Sequence, residues 1–137
     1  MAAYTKPLPT PDQYSQPFWE ATKRHELAVQ YCPHCGTYEF PPYPMCPKCR
    51  AMDRTWKKVS GKGKIFAWFV VNYSTHPDFV NDVPYAVVVV QLDEQPNLRV
   101  PSNMVDCKIE DIKFNMPVEA VFEDVTPEYT LVKWKRI

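Results

Sequence analysis

Cys32-Pro33-His34-Cys35 and Cys46-Pro47-Lys48-Cys49 are two C-x-x-C knuckles separated by ten residues. Two cysteines three positions apart in a tight turn aim both sulfurs at one ion, and two such turns complete a tetrahedral four-sulfur shell. That shell leaves no open position, so it cannot activate water and its work is structural. Metal binding then supplies folding free energy to a segment with few apolar residues of its own. Thiolates also suit iron, and ligand softness alone does not separate the two metals. Zinc is the expected ion, because nothing else in the chain suggests an electron-transfer partner or a second redox centre. His34 lies inside a knuckle, yet with four thiolates at hand it reads as an exposed loop residue. Tyr38, Phe40 and Tyr43 are expected to cover the site and dock it on the neighbouring domain.

Downstream of the knuckles, Trp56 to Gly63 read as a turn-rich joint, with Gly61 and Gly63 suited to a tight reversal. After the joint the pattern is that of strands: Lys64 to Tyr73, Tyr85 to Leu92, Leu98 to Val105, Val118 to Val125 and Tyr129 to Arg136. The first two are nearly apolar on both faces, as in a sheet covered on each side. The last two alternate, so one face of each meets solvent: Val132 and Trp134 against Lys133 and Lys135, for example. Five strands with one helical-looking interruption, Lys108 to Phe114, match the five-stranded Greek-key barrel of the OB type, and an SH3-like barrel also fits.

Upstream, Thr10-Pro11-Asp12-Gln13 carries the signature of a helix start, with Thr10 as N-cap and Gln13 reaching back. Pro17 interrupts that turn. A second segment, capped by Ser15, is expected to run to about Leu27, with Phe18, Trp19 and Thr22 on one face. That face packs either on the chain's own body or on a partner protein. The expected organisation is a helical arm over 1–30, a zinc ribbon over 31–55 and an OB-fold domain over 56–137.

Sixteen basic and sixteen acidic side chains cancel in the 137 residues. No global field therefore draws the protein to nucleic acid or to an anionic membrane. The longest apolar run, Ala86 to Val90, is far short of a bilayer span, and the N-terminal residues lack a basic-then-apolar leader pattern. A cytoplasmic protein is expected, and four clustered cysteines plus a lone Cys107 suit metal binding in a reducing compartment. Cys107 reads as a small buried hydrophobe.

Gln16-Pro17-Phe18-Trp19-Glu20-Ala21, Tyr31-Cys32-Pro33-His34-Cys35-Gly36, Pro41-Pro42 and Cys46-Pro47-Lys48-Cys49 together resemble the DUF35 family. The likeness continues through Ser60-Gly61-Lys62-Gly63, Pro84-Tyr85, Ser102-Asn103-Met104-Val105 and Met116-Pro117-Val118, and so covers nearly the whole chain. Glu94-Gln95-Pro96-Asn97 departs from the Glu-Gly turn that the family often carries there. The resemblance implies a rubredoxin-like zinc ribbon on an OB fold. It further implies an accessory subunit that docks on a thiolase-superfamily enzyme and helps form its acyl-CoA passage, the catalytic residues belonging mainly to the partner.

The residues agree with that division, because they offer no nucleophile motif and only three histidines, at positions 25, 34 and 76. The arm residues Phe18 and Trp19 are the candidate partner contacts. Lys62, Lys64 and Arg99, cations near strand ends, are the candidates for a CoA phosphate. A different function, single-stranded nucleic-acid binding, would use Trp68, Phe69 and Tyr73 as stacking platforms. The interleaving of cations with acids provides no basic groove for it.

Overall fold

The computed structural model describes residues 4–137. Helix α1 (Gln16–Lys23) leads into β1 (Ala28–Tyr31), β2 (Tyr38–Glu39) and β3 (Thr55–Lys58). The strands β4 (Lys62–Val71), β5 (Tyr85–Leu92), β6 (Arg99–Val105), β7 (Pro117–Asp124) and β8 (Thr130–Arg136) follow. The first three strands form a sheet in the order β2-β1-β3, and the other five close a barrel in the order β4-β5-β6-β8-β7. The fold is thus mainly β, with the helical arm, the ribbon and the five-stranded barrel expected from the sequence. The interruption after β6 is one 3₁₀ turn, Ile109–Asp111.

Alternation explains the barrel's inside. Along β5 every second residue, Ala86, Val88, Val90 and Leu92, is buried, and these meet Ile65, Val100, Val118, Val132 and Trp134 in one core. Trp134 is fully buried, and its only polar group is satisfied by donation from Nε1 to the Val100 carbonyl at 3.2 Å. Closure depends on β6 and β8, which run parallel and pair at Met104–Trp134 and Val105–Lys135. Ahead of those pairs the seam is bridged by side chains, Ser102 Oγ donating to the Val132 carbonyl at 2.5 Å.

The structure corrects four local expectations. No helix starts at Thr10: Asp12 Oδ1 instead accepts from the backbone N–H groups of Tyr14 (2.9 Å) and Ser15 (2.8 Å), a side-chain-closed turn that competes with helix. The helix that follows has Ser15 at its N-cap position and Pro17 in its first turn, but ends at Lys23. His25, at φ +58°, stops it before Leu27. Gly63 makes no reversal; it lies within β4, where a Cβ would sit 2.3 Å from the Gln91 carbonyl oxygen. The reversal falls on Gly61, at φ +74°.

The fourth correction concerns β4 and β5, whose two apolar faces predict cover on both sides. One face fills the barrel; the other is only partly covered, with Phe66 44% and Phe69 56% exposed and Val87 and Val89 half-buried.

Candidate metal centre

The two knuckles fold alike because the same hydrogen bonds close each. Gly36 N donates to the Cys32 carbonyl (2.8 Å) and Cys32 N to the Thr37 carbonyl (2.9 Å); Arg50 N donates to the Cys46 carbonyl (2.9 Å) and Cys46 N to the Ala51 carbonyl (2.9 Å). The fifth residue of each turn is left-handed: Gly36 at φ +72° and Arg50 at φ +67°. Glycine suits that conformation, whereas arginine bears a steric cost for it.

The Sγ atoms of Cys32, Cys35, Cys46 and Cys49 all lie within 4.8 Å of one another. Two of the separations are 3.5 Å (Cys32 to Cys49) and 3.6 Å (Cys35 to Cys46). A disulfide needs about 2.05 Å. A tetrahedron with metal–sulfur bonds of about 2.3 Å has sulfurs roughly 3.8 Å apart. The donor set therefore fits a metal and does not fit a crosslink. The local field points the same way. The Cys49 and Lys48 N–H groups, Cys49's foremost, hold the Cys46 thiol down to about 6. The Thr37 hydroxyl, 3.1 Å from the Cys35 sulfur, lowers Cys35. Cys49 receives a lowering bond from the Ala51 N–H, but desolvation and its three thiol neighbours push it up to about 11. Four sulfurs this close shed all their protons only when a cation shares the charge.

The ribbon is held against the barrel by the β5–β6 turn. Gln95 acts as a missing strand: its Oε1 accepts from Tyr38 N at 2.9 Å and its Nε2 donates to the Tyr38 carbonyl at 2.8 Å. One residue earlier, Glu94 accepts from Ser60 N at 2.7 Å in the joint. Apolar contact completes the dock, with Phe40 against Phe18 at 5.6 Å between ring centroids and both Tyr38 and Phe40 packed against the core. Tyr38 and Phe40 thus dock the ribbon as expected, whereas Tyr43 is 46% exposed. His34 is an exposed loop residue whose Nε2 lies 2.8 Å from Asp53 Oδ2.

The other candidate residues fall in distinct places. Phe18 is 8% exposed and belongs to the core, with Trp19 half-buried beside it at 5.0 Å. The two line an apolar groove of about 350 Å³ together with Phe40, Val100 and Leu131. Lys62 and Lys64 alternate with buried Gly63 and Ile65, so both face outward on β4. Gln91 pairs with Lys64 on one side and Arg99 on the other, which places the three cations at one end of the same outer face. Trp68 tilts against Phe114 at 4.7 Å, while Tyr73 is 80% exposed. Cys107 is half-buried, and His76 caps the 3₁₀ turn Pro77–Phe79, accepting from Asp78 N at 3.1 Å.

The sequence reading missed one constellation. His25 Nε2 lies 3.1 Å from both carboxylate oxygens of Asp124, and Thr130 Oγ1 donates to Asp124 Oδ1 at 2.5 Å. The imidazole also stacks on Phe122, with ring centroids 5.4 Å apart. Histidine and threonine both bond the carboxylate and not each other, so no hydroxyl is activated. The cluster pins the end of α1 to the β7–β8 hairpin. Its partners are 99 residues apart in sequence, which no local pattern reveals.

A four-cysteine ribbon docked on a closed five-stranded barrel defines a protein of the zinc-ribbon and OB-fold class. Residues 19–53 match the family profile described as the ChsH2 rubredoxin-like zinc ribbon domain, and residues 56–123 that of the ChsH2 C-terminal OB-fold domain. The chain belongs to the DUF35 family: it is 40% identical over 109 residues to a DUF35 domain-containing scaffold protein of Methanocaldococcus jannaschii, covering 78% of this chain and 75% of that one. It is also 35% identical over 115 residues to a probable enoyl-CoA hydratase alpha subunit of Thermomonospora curvata, covering 83% of this chain but 35% of that longer protein. Among solved structures, a chain of the Ltp2-ChsH2(DUF35) aldolase superposes with a TM-score of 0.84 at 30% identity, covering 94% of this chain and 98% of that one.

Proposed function

We propose that this chain is a non-catalytic, zinc-binding accessory subunit of a hetero-oligomer with a thiolase-superfamily enzyme. That enzyme would act on acyl-CoA, making or breaking a C–C bond or transferring the acyl group. The observation that carries the reading is the full-length likeness to a chain of the Ltp2-ChsH2(DUF35) aldolase. In this reading Cys32, Cys35, Cys46 and Cys49 hold one Zn²⁺, whose four thiolates leave no position for substrate, so the ion stabilises the ribbon. The arm (1–30) and ribbon (31–55) brace the OB-fold domain (56–137), Phe18 and Trp19 supplying the arm's anchor. A CoA phosphate reaching this chain would meet Lys62, Lys64 and Arg99. The chemistry resides in the partner, since a shell of four thiolates offers no Lewis-acid position and His25 and Thr130 each bond Asp124 but not one another, leaving the hydroxyl without a base.

The test is to purify the chain together with its co-expressed thiolase-superfamily neighbour and to assay thiolysis and aldol cleavage of acyl-CoA esters. Activity in the complex and none in the isolated chain is the expected result. Turnover by the purified chain alone, above contamination, would reverse the assignment.

A further inference from the structure

A sheet face turned to water ordinarily carries polar side chains, yet beyond Lys62, Lys64, Gln91 and Arg99 at one end the outer face of β4 and β5 is apolar. Val87 and Val89 alternate with the buried residues of β5 and therefore point outward. Their β4 neighbours in register are Phe69 and Ala67, which share that side. Phe66 stands at the bulge between Ile65 and Ala67, so it projects without a place in the core. From Phe66 to Val71 along β4 and across three strands, the apolar field measures roughly 20 Å by 14 Å, taking about 3.3 Å per residue and 4.8 Å between strands. That comes close to the lower end of the largest apolar patches a monomer commonly exposes, about 300 Å², which tend to mark interaction sites.

Charge gives the field a direction. Lys62, Lys64 and Arg99 lie at one end, and none of them forms an ion pair among the described residues. The Arg99 guanidinium sits 3.8 Å from the centroid of the Phe66 ring, which holds an arginine and an aromatic side by side on the surface. Arginine and aromatic side chains are enriched among the residues that dominate interface energy. The outward residues of these three strands include no aspartate or glutamate. A second copy pressed face to face would offer this surface more cations and no carboxylate.

We propose that the outer face of β4–β5–β6 is the docking surface for a different protein, one that presents an apolar surface with carboxylates at the end opposite Lys62, Lys64 and Arg99. This rests on the accessory-subunit reading and names the surface that subunit uses. The half-buried Trp19 then serves to brace the arm, and the sheet face forms the main contact.

The experiment titrates the chain against its co-expressed thiolase-superfamily neighbour by calorimetry, without CoA and again with it, and follows self-association by sedimentation. Phe69→Asp and Val87→Lys should each weaken binding at least 30-fold while retaining metal content and thermal midpoint. Arg99→Glu should weaken it about tenfold, with a reduced dependence on salt. Should Phe69→Asp disturb the fold, the milder Phe69→Gln carries the same test. Wild-type affinity in the face variants overturns the surface and leaves the accessory-subunit reading standing. Absence of any complex with the wild type overturns both. A wild-type homodimer that Phe69→Asp dissociates assigns the face to a second copy, against the proposal. A loss for Arg99→Glu seen only when CoA is present gives the cations to phosphate and overturns the carboxylate match.

Discussion

The fifth residue of each knuckle shows how one backbone angle sorts residue types. Gly36 and Arg50 hold equivalent left-handed positions, and a Cβ on Gly36 would stand 3.4 Å from the Tyr31 hydroxyl. Gly36→Ala should therefore cost about 1 kcal/mol from the left-handed strain alone. Arg50→Gly should be neutral or slightly stabilising, because relief of that strain is opposed by glycine's larger loss of backbone freedom, about 0.5–1 kcal/mol. Thermal midpoints of the metal-loaded variants decide both. At the sulfurs, Cys46→Ser should lower bound zinc from one ion per chain and loosen the ribbon; elemental analysis that finds iron, or no metal in folded wild type, would sink the zinc assignment. Asp124 gives a pH signature. The Thr130 hydroxyl first, and His25 second, hold its carboxyl below the usual range. The folded pKa is depressed, so its contribution is present above the unfolded value near 3.8 and fades as pH falls through the folded one. Asp124→Asn should be less stable than wild type at pH 7, and the gap should narrow below about pH 4.

At the scale of elements, α1 tests how the arm is anchored. Phe18→Ala should destabilise the isolated chain by about 3–5 kcal/mol, the usual cost of emptying a buried aromatic site. Trp19→Ala should cost less, because the indole is only half-buried. If Trp19 also touches the partner, its loss weakens co-purification while metal content is unchanged; normal co-purification near the dissociation constant would remove the arm from the interface. Much of this level was legible in the sequence, since β5 and the knuckles carry strict local periodicities. The short helical turn expected at Thr10 does not form because Asp12 offers the backbone a rival set of hydrogen bonds, whereas the start of α1 after Ser15 is where the sequence places it. Cover on both faces of β4 and β5 was inferred from Phe66, Phe69, Val87 and Val89. Apolar composition says that a face avoids water, but not whether this chain or another supplies the cover. In the sequence Gln95 stands out only as part of a departure from the Glu-Gly turn. Its two bonds to Tyr38 span 57 residues, and a side-chain amide imitating backbone has no sequence signature.

At the scale of the whole molecule, ribbon and barrel are joined by few polar contacts, so they should respond unequally to metal removal. Chelation should abolish the order of β1–β3 first, while near-ultraviolet signals from Trp134, which packs among barrel residues, persist. Gln95→Ala should leave metal content intact and lower the temperature at which the ribbon separates, the docking losing about 1 kcal/mol per hydrogen bond. Simultaneous loss of both units in calorimetry would contradict this ordering.

The parallel seam between β6 and β8 has two backbone pairs, with Ser102 Oγ and Trp134 Nε1 bridging the stretch ahead of them. A cylinder of strands is only as slow to open as its weakest longitudinal join. Amide deuteration should therefore run fastest, within the barrel, along the edges of β6 and β8 that face each other, and slowest across β4–β5, where eight register pairs hold the wall. Ser102→Ala would remove one side-chain bridge and hasten exchange along that line without altering the rest, turning the seam into a slit through which solvent first reaches Trp134.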